Sequence, residues 1–162
     1  MAKMRYHYVE RKKAESGATG TATYDLPQGG FIPEITLTVY TTLGAGESGA
    51  LFPHQIITKV EIVDGSTVIK SVSGTQLKAL SAFHYATNEV STLRQAASAE
   101  GYDKFRIPLG KVLNGRTYVP DFSKVSNPQI KITWDASATS LNNITYTAIT
   151  TPSMMFTVYA SI

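Results

Sequence analysis

Residue types able to support catalysis or metal binding are few in this sequence and lie far apart. The three histidines are His7, His54 and His84. None has another histidine two or four positions away, so the spacing typical of a zinc site is missing. The chain contains no cysteine, which excludes disulfides, zinc–thiolate sites and cysteine nucleophiles. A metal or catalytic site would have to combine residues distant in the sequence, and none is predicted.

Two patterns match functional motifs without the context that those motifs require. Gly44, Gly46 and Gly49 have the GxGxxG spacing, but no helix pattern follows them, so we interpret the segment as a flexible loop. Glu61 and Asp64 flank a predicted turn and are interpreted as solvated carboxylates, not as an acid–base pair. The sequence also lacks the GxSxG and HExxH motifs and a phosphate-binding glycine loop. We therefore predict a protein that is not an enzyme and uses no cofactor.

The net charge of +3 is concentrated at the start of the sequence. Residues 1–13 contain five cations and one anion, giving +4, whereas the remaining residues contain ten cations and eleven anions, giving −1. The five cations are Lys3, Arg5, Arg11, Lys12 and Lys13. The nearly neutral body lacks the basic face that a nucleic-acid-binding domain presents.

We expect residues 1–19 to form a flexible basic arm ahead of a single domain over 20–162. Such an arm can contact a neighbouring subunit or an anionic membrane, where each Lys or Arg contributes about 1 kcal/mol. The genome is a less favoured partner, and a disordered solubilising terminus is the alternative without a partner. The first residues are charged and lack the apolar stretch of a secretory signal, so we expect the protein inside a cell or in a released particle.

The low charge content also bears on function. Charged residues make up 17% of the 162 residues, against about 25% in typical soluble domains. Either part of the outer surface meets other proteins, or Ser and Thr replace Lys and Glu on a β-rich surface. The length fits one domain, and no apolar run reaches the ~18 residues that a membrane-spanning helix needs.

Alternation of apolar and polar residues predicts β-strands along most of the chain. The clearest runs are 35–40, 58–63, 130–134 and 154–159. Asp64-Gly65 lies between two β-rich runs and predicts a tight hairpin turn with positive φ at the glycine.

One short helix is predicted after the hairpin. Thr75 is its expected cap, and Leu77, Leu80 and Phe83 follow at nearly helical spacing. Trp134 is expected to pack in the core of its strand's inner face, with sugar stacking at an exposed position as the alternative.

These patterns predict an all-β fold of about eight or nine antiparallel strands. Periodicity alone does not separate a jelly roll from an immunoglobulin-like sandwich, but the long loops and the helix between strands favour the antiparallel jelly roll.

The segment ahead of the first clear strand reads Asp25-Leu26-Pro27-Gln28-Gly29-Gly30-Phe31-Ile32. The hairpin, a helix-opening segment at 73–80, the run 105–110 and the strand at 130–134 follow it in that order. This succession resembles viral jelly-roll major capsid proteins, in particular the small single-jelly-roll coat proteins of tailless icosahedral bacterial and archaeal viruses that contain a membrane. Its family-like motif consists of Asp25, Leu26, Pro27 and Gly30.

The resemblance implies a structural coat protein that self-assembles, alone or with a second coat protein, into an icosahedral shell. It implies barrels grouped into capsomers, assembly in the host cytoplasm, and an arm on the inner side of the shell, with an internal viral membrane as a candidate partner. Coat proteins of this group have no catalytic residues, so none is carried over. The alternative function is a lectin-like or receptor-binding jelly roll such as a virion spike, for which Tyr102, Tyr118 and Tyr146 are candidate binding residues.

Overall fold

The computed structural model describes residues 6–15, 17, 19–42, 52–85, 100–110, 119–135, 140–141, 144–145 and 154–161. Its strands are β1 (Tyr6–Glu15), β2 (Thr19–Asp25), β3 (Glu34–Thr42), β4 (Ile57–Asp64), β5 (Thr67–Val72), β6 (Glu100–Pro108), β7 (Pro128–Asp135), β8 (Ser140–Leu141), β9 (Ile144–Thr145) and β10 (Met154–Ser161). Its helices are α1 (Pro53–Ile56), α2 (Gly74–Tyr85) and the 3₁₀ turn η1 (Phe122–Lys124).

The strands form two four-stranded antiparallel sheets, which we call sheet A and sheet B. Sheet A has the order β1-β10-β3-β6, and sheet B has the order β2-β7-β4-β5. Along these eight strands the chain therefore changes sheets at every step except from β4 to β5, and its last strand returns beside its first. This is the strand order of a jelly roll, in which eight strands form two facing sheets. The prediction of an all-β jelly-roll sandwich is confirmed, and the short ribbon of β8 and β9 adds two further strands.

The core lies between the two sheets and follows the alternation of the sequence. In β7, Pro128, Ile130, Ile132 and Trp134 are buried, while the residues between them are partly exposed. Ile35, Leu37 and Val39 of β3 face them from sheet A and are fully buried. Trp134 packs in this core as expected, and its Nε1 donates to the Gly17 carbonyl at 3.2 Å.

The N-terminal region differs from the expected flexible arm. Residues 6–15 form β1, which pairs antiparallel with β10 from Tyr6 opposite Ser161 to Glu15 opposite Met154. The expectation of an arm over 1–19 is therefore wrong for residues 6–15, which belong to the sandwich, and Thr19 already lies in β2.

Two physical reasons explain why β1 escaped the sequence analysis. An edge strand pairs on one side only, so charged side chains can remain in water while the backbone is hydrogen-bonded. The register of β1 also shifts twice, between Tyr8 and Glu10 and between Glu10 and Lys13, and these shifts interrupt the alternation by which a strand is recognised.

Helix α2 begins one residue before the expected start, with a different cap. The Gln76 amide donates to Ser73 Oγ at 3.2 Å, and the Ser73 amide donates to Gln76 Oε1 at 2.8 Å. These reciprocal bonds form a capping box, so Ser73 caps the helix in place of Thr75. Gly74 is required there because a Cβ would lie 2.9 Å from Ile57 Cβ.

Candidate assembly surfaces

The first and last described residues of the chain lie at the same end of the sandwich. Tyr6 of β1 pairs there with Ser161 of β10, and Ala160 pairs with Ile35 at the start of β3. We call this the terminal end. In sheet B it holds the end of β2, the β4–β5 turn and the start of β7, whereas α1 and the start of β6 lie at the opposite end.

The family-like motif forms the crossing between the two sheets at the terminal end. Asp25 ends β2 and accepts a hydrogen bond from Gln129 Nε2 at 2.8 Å. Leu26 is buried, and its amide donates to the Pro128 carbonyl at 2.8 Å. Gly30 has a φ of +77°, a left-handed conformation that glycine adopts without strain. Pro27 between them is partly buried. The motif thus turns the chain from sheet B into sheet A, and these contacts are architectural.

The β4–β5 turn belongs to the same end. Asp64 pairs with Thr67, so Gly65 and Ser66 are the central turn residues, one position later than Asp64-Gly65. Gly65 has a φ of +58°. Asp64 Oδ1 accepts from the Asn127 amide at 2.8 Å, which fixes the turn against the segment that precedes β7.

The five N-terminal cations are placed unequally. Lys3 and Arg5 lie outside the described residues, and Arg11 and Lys12 lie in β1. The Lys13 Nζ lies 3.5 Å from Glu15 Oε1 and 5.4 Å from the centre of the Tyr24 ring.

Lys13 therefore has partners within its own chain. The Tyr24 hydroxyl donates to the same Glu15 oxygen at 2.9 Å. Burial, followed by the hydrogen bond and the charge of Glu15, raises the pKa of Tyr24 far above its usual range. Tyr24 thus stays protonated, and this group of three side chains ties β1 to β2.

A buried carboxylate that the sequence analysis missed lies at the other end. Asp103 in β6 is fully buried. Its Oδ2 accepts from the backbone amide and Nδ1 of His54 at 2.9 and 2.8 Å. Its Oδ1 lies 3.3 Å from Lys78 Nζ. Asp103 therefore holds α1 and α2 against sheet A, and we call these three residues the Asp103 cluster.

The histidines do not form a metal site in the part of the chain that is described. His54 is engaged in the Asp103 cluster, while His7 lies in β1 and His84 in α2. No group of three or more His, Asp or Glu side chains able to hold a metal ion occurs among the described residues. Across those same ranges, no helix is long and apolar enough to cross a membrane.

Two other groups of sequence candidates are not brought together. Gly44, Gly46 and Gly49 lie outside the described residues, as do Tyr118 and Tyr146. Tyr102 lies in β6 with its ring centre 5.9 Å from that of Tyr40, so its packing partner is a neighbouring strand of its own sheet. The carboxylates of Glu61 and Asp64 have separate partners, since Lys59 Nζ lies 3.1 Å from Glu61 Oε2.

An exposed apolar surface lies on β5 and α2. Among the described residues, the exposed large apolar side chains are Phe83 (84%), Val68 (51%), Phe31 (40%) and Ile69 (38%). Three of these lie on β5 or α2, beside a groove lined by Ser71, Val72, Gln76, Ala79, Leu80 and Phe83. We call the groove, with Val68 and Ile69, the β5–α2 surface.

Hydrogen bonds fix this surface to the body of the sandwich. Ser81 Oγ accepts from the Arg106 amide at 3.1 Å and lies 3.3 Å from its carbonyl oxygen, so α2 covers the edge of β6. Lys70 Nζ donates to the Pro108 carbonyl across the two sheets, and burial lowers the pKa of Lys70. The predicted apolar side of α2 is thus divided, because Leu77 is buried while Phe83 faces outward.

No protein-family model and no curated protein matches this sequence. Solved viral capsid structures do match. The crystal structure of the STIV MCP has a TM-score of 0.70 and 14% identity, over 99% of this chain and 48% of that chain. The atomic structure of Sulfolobus Turreted Icosahedral Virus gives a TM-score of 0.68 and 14% identity, over 99% and 45%. The PBCV-1 virus capsid gives 0.61 and 10%, over 99% and 42%.

The chain spans about half the length of these solved structures, 42 to 48% of each. At 10 to 14% identity, what the proteins share is the arrangement of strands. The resemblance noted in the sequence is confirmed at that level: the chain has the jelly-roll fold of viral major capsid proteins.

Proposed function

We propose that this chain is a structural capsid protein that self-assembles, alone or with a second coat protein, into an icosahedral shell. The observation that carries the proposal is the fit of 99% of the chain to the STIV MCP with a TM-score of 0.70. The eight strands of the two sheets and the sheet-crossing motif are part of that fit.

The physical properties of the chain support a structural role. A shell subunit needs a rigid body, and here two four-stranded sheets enclose one apolar core. It also needs sides that can be buried against other protein, and the centres of protein interfaces are depleted in charge. The low charged fraction of 17% and the β5–α2 surface meet that need. The role is non-enzymatic. The protein assembles in the host cytoplasm and is then part of the virion.

The terminal end faces the interior of the shell in this proposal. Lys3 and Arg5 precede Tyr6, which lies at that end, and Arg11, Lys12 and Lys13 follow in β1. Lys3 and Arg5 contact a neighbouring subunit or an internal anionic membrane, and the genome is not their principal partner, whereas Arg11, Lys12 and Lys13 lie toward the other end of β1. Attraction of cations to an anionic surface is screened over about 8–10 Å near physiological salt, so the contact weakens as salt is raised.

Velocity sedimentation of the chain, with the proteins that copurify with it, tests the proposal. The expected result is a fast-sedimenting closed particle in which this chain is a major component. A chain that remains monomeric both alone and with its copurifying proteins contradicts the coat function. Binding to a glycan array by that monomer would instead support the lectin-like alternative.

A further inference from the structure

The two edges of sheet B lie on opposite sides of the sandwich and share one property. The exposed positions of β2 are Thr19, Thr21, Thr23 and Asp25, and those of β5 are Thr67, Val68, Ile69 and Ser71. Lys70, the charged residue of β5, donates instead to the Pro108 carbonyl at the end of β6 and is partly buried. Both edges therefore present mainly uncharged side chains to a neighbour.

We propose that the β5–α2 surface binds a second copy of this chain, and that it lies against the β2 edge of that copy. This inference rests on the proposed coat function and names the contact by which neighbouring barrels join. The partner is a copy of the same chain because both of these mainly uncharged surfaces occur on this molecule, at opposite edges of one sheet.

Charge decides between the edges that a neighbour could offer. Strand β1, the edge of sheet A beside β2, carries Glu10, Arg11, Lys12, Lys13 and Glu15. Burying such charges against the groove, whose lining is four apolar and two uncharged polar side chains, would remove them from water at a large desolvation cost. The threonines of β2 impose no such cost. The other edge of sheet A, β6, is covered by α2 through Ser81 and Arg106.

Strand direction decides the orientation of the neighbour. Every neighbouring pair in sheet B is antiparallel, so β2 and β5 at its two edges run in opposite directions. When two copies stand the same way up, β5 of one copy and β2 of the next are therefore antiparallel, as within a sheet. Repeating this head-to-tail contact about an axis parallel to the barrels closes a ring when the rotation between neighbouring copies divides a full turn.

A contact between two β5 strands has the opposite consequence. An antiparallel β5–β5 pair turns one barrel upside down and places the two terminal ends on opposite faces of the shell. That arrangement conflicts with a shell whose subunits all present the same end to the interior, so the head-to-tail contact is the antiparallel one that keeps neighbouring barrels the same way up.

Cysteine crosslinking tests the contact directly, because the chain contains no cysteine of its own. The variants Ile69→Cys and Thr23→Cys are mixed before assembly. In a second mixture Thr21→Cys replaces Thr23→Cys, because Thr21 is the neighbouring exposed position on the same face of β2. Disulfide formation requires Cα atoms within about 7 Å, so oxidation reports direct adjacency in assembled particles.

The expected result is a mixed dimer of Ile69→Cys with one of the two threonine variants, and no dimer of Ile69→Cys alone. Dimers of Ile69→Cys alone, or intact particles without any dimer, overturn the proposed contact and leave the coat function standing. If the unmodified chain forms no particle, the coat function and this inference both fail.

A pair of charge substitutions on α2 gives an independent readout. Phe83→Asp places a charge on the β5–α2 surface, and Thr75→Asp places the same charge at an exposed position of the same helix that does not line the groove. We expect Phe83→Asp to lower particle yield about tenfold or more, the effect of roughly 1.4 kcal/mol at one contact, with unfolding midpoints unchanged in both variants. Equal particle yields for Phe83→Asp and Thr75→Asp overturn the inference. So does a result in which Phe83→Asp still binds copies of its own chain and loses binding only to a different coat protein.

Discussion

The Asp103 cluster provides the sharpest test of how the sandwich holds its helices. Asp103→Asn keeps the size of the side chain but removes its charge, so one acceptor oxygen remains for three donors. The Asp103 side chain is fully buried, with 0% exposure. Its carboxylate oxygens lie 2.9 Å from the His54 amide, 2.8 Å from His54 Nδ1 and 3.3 Å from Lys78 Nζ.

The size of the effect follows from the burial of the three groups. Removing one partner of a buried ion pair costs about 3–5 kcal/mol, because the remaining charge is left uncompensated. The side chains of His54 and Lys78 retain 16% and 21% exposure, so water can partly solvate them. We therefore expect a loss near the lower limit, about 3 kcal/mol of the free energy of unfolding.

Denaturant unfolding followed by tryptophan fluorescence measures this loss. Trp134 is the single tryptophan and is 3% exposed, so its emission shifts to the red when the core opens. Asp25→Asn is the matched control, because Asp25 is exposed and accepts a side-chain hydrogen bond from Gln129. It should change stability by about 0.5 kcal/mol or less. A loss below about 1 kcal/mol for Asp103→Asn, the scale of an ordinary hydrogen bond, would refute the reasoning.

Three further changes test the fold. Gly65→Val should cost about 1–3 kcal/mol of unfolding free energy, because φ at this position is +58° and a β-branched residue is strained there; an unchanged denaturant midpoint would contradict this. Gly20→Ala should cost about 1–3 kcal/mol by overpacking, because a Cβ would lie 2.5 Å from Trp134 Cζ2; calorimetry measures it, and a neutral result would mean that the indole moves aside freely. Deletion of residues 1–15 should lower the melting temperature and promote aggregation, because it exposes the edge of β10, whereas deletion of 1–5 should not; equal melting temperatures would show that β1 adds nothing to the sandwich.

The strands that the sequence predicted are those in which burial and alternation coincide. In β7, every second residue from Pro128 to Trp134 is buried, and Ile35, Leu37 and Val39 of β3 are buried at the same spacing. A half-buried strand can be recognised from one sequence because one of its faces packs in the apolar core and the other lies in water, so apolar and polar residues alternate. The position of Gly65 in a hairpin turn was recognisable for a similar reason, since few residues adopt positive φ.

What escaped prediction depended on partners distant in the sequence. Asp103 is separated from His54 by 49 positions and from Lys78 by 25, so no local pattern could join them. A signal was nevertheless present, because Asp103 occupies an inward position of the alternating strand β6. A charge at such a position predicts a buried partner. For β1, pairing with β10 at the far end of the sequence overrode a local composition typical of a flexible terminus.

The central claim is that these barrels tile a viral shell, and electron cryomicroscopy of particles that contain this chain tests it most directly. The account predicts a closed icosahedral shell in which repeated density fits the two four-stranded sheets, with every terminal end on the inner side. Particles in which the chain occurs only as a projecting appendage, or the absence of the chain from any shell, would contradict it.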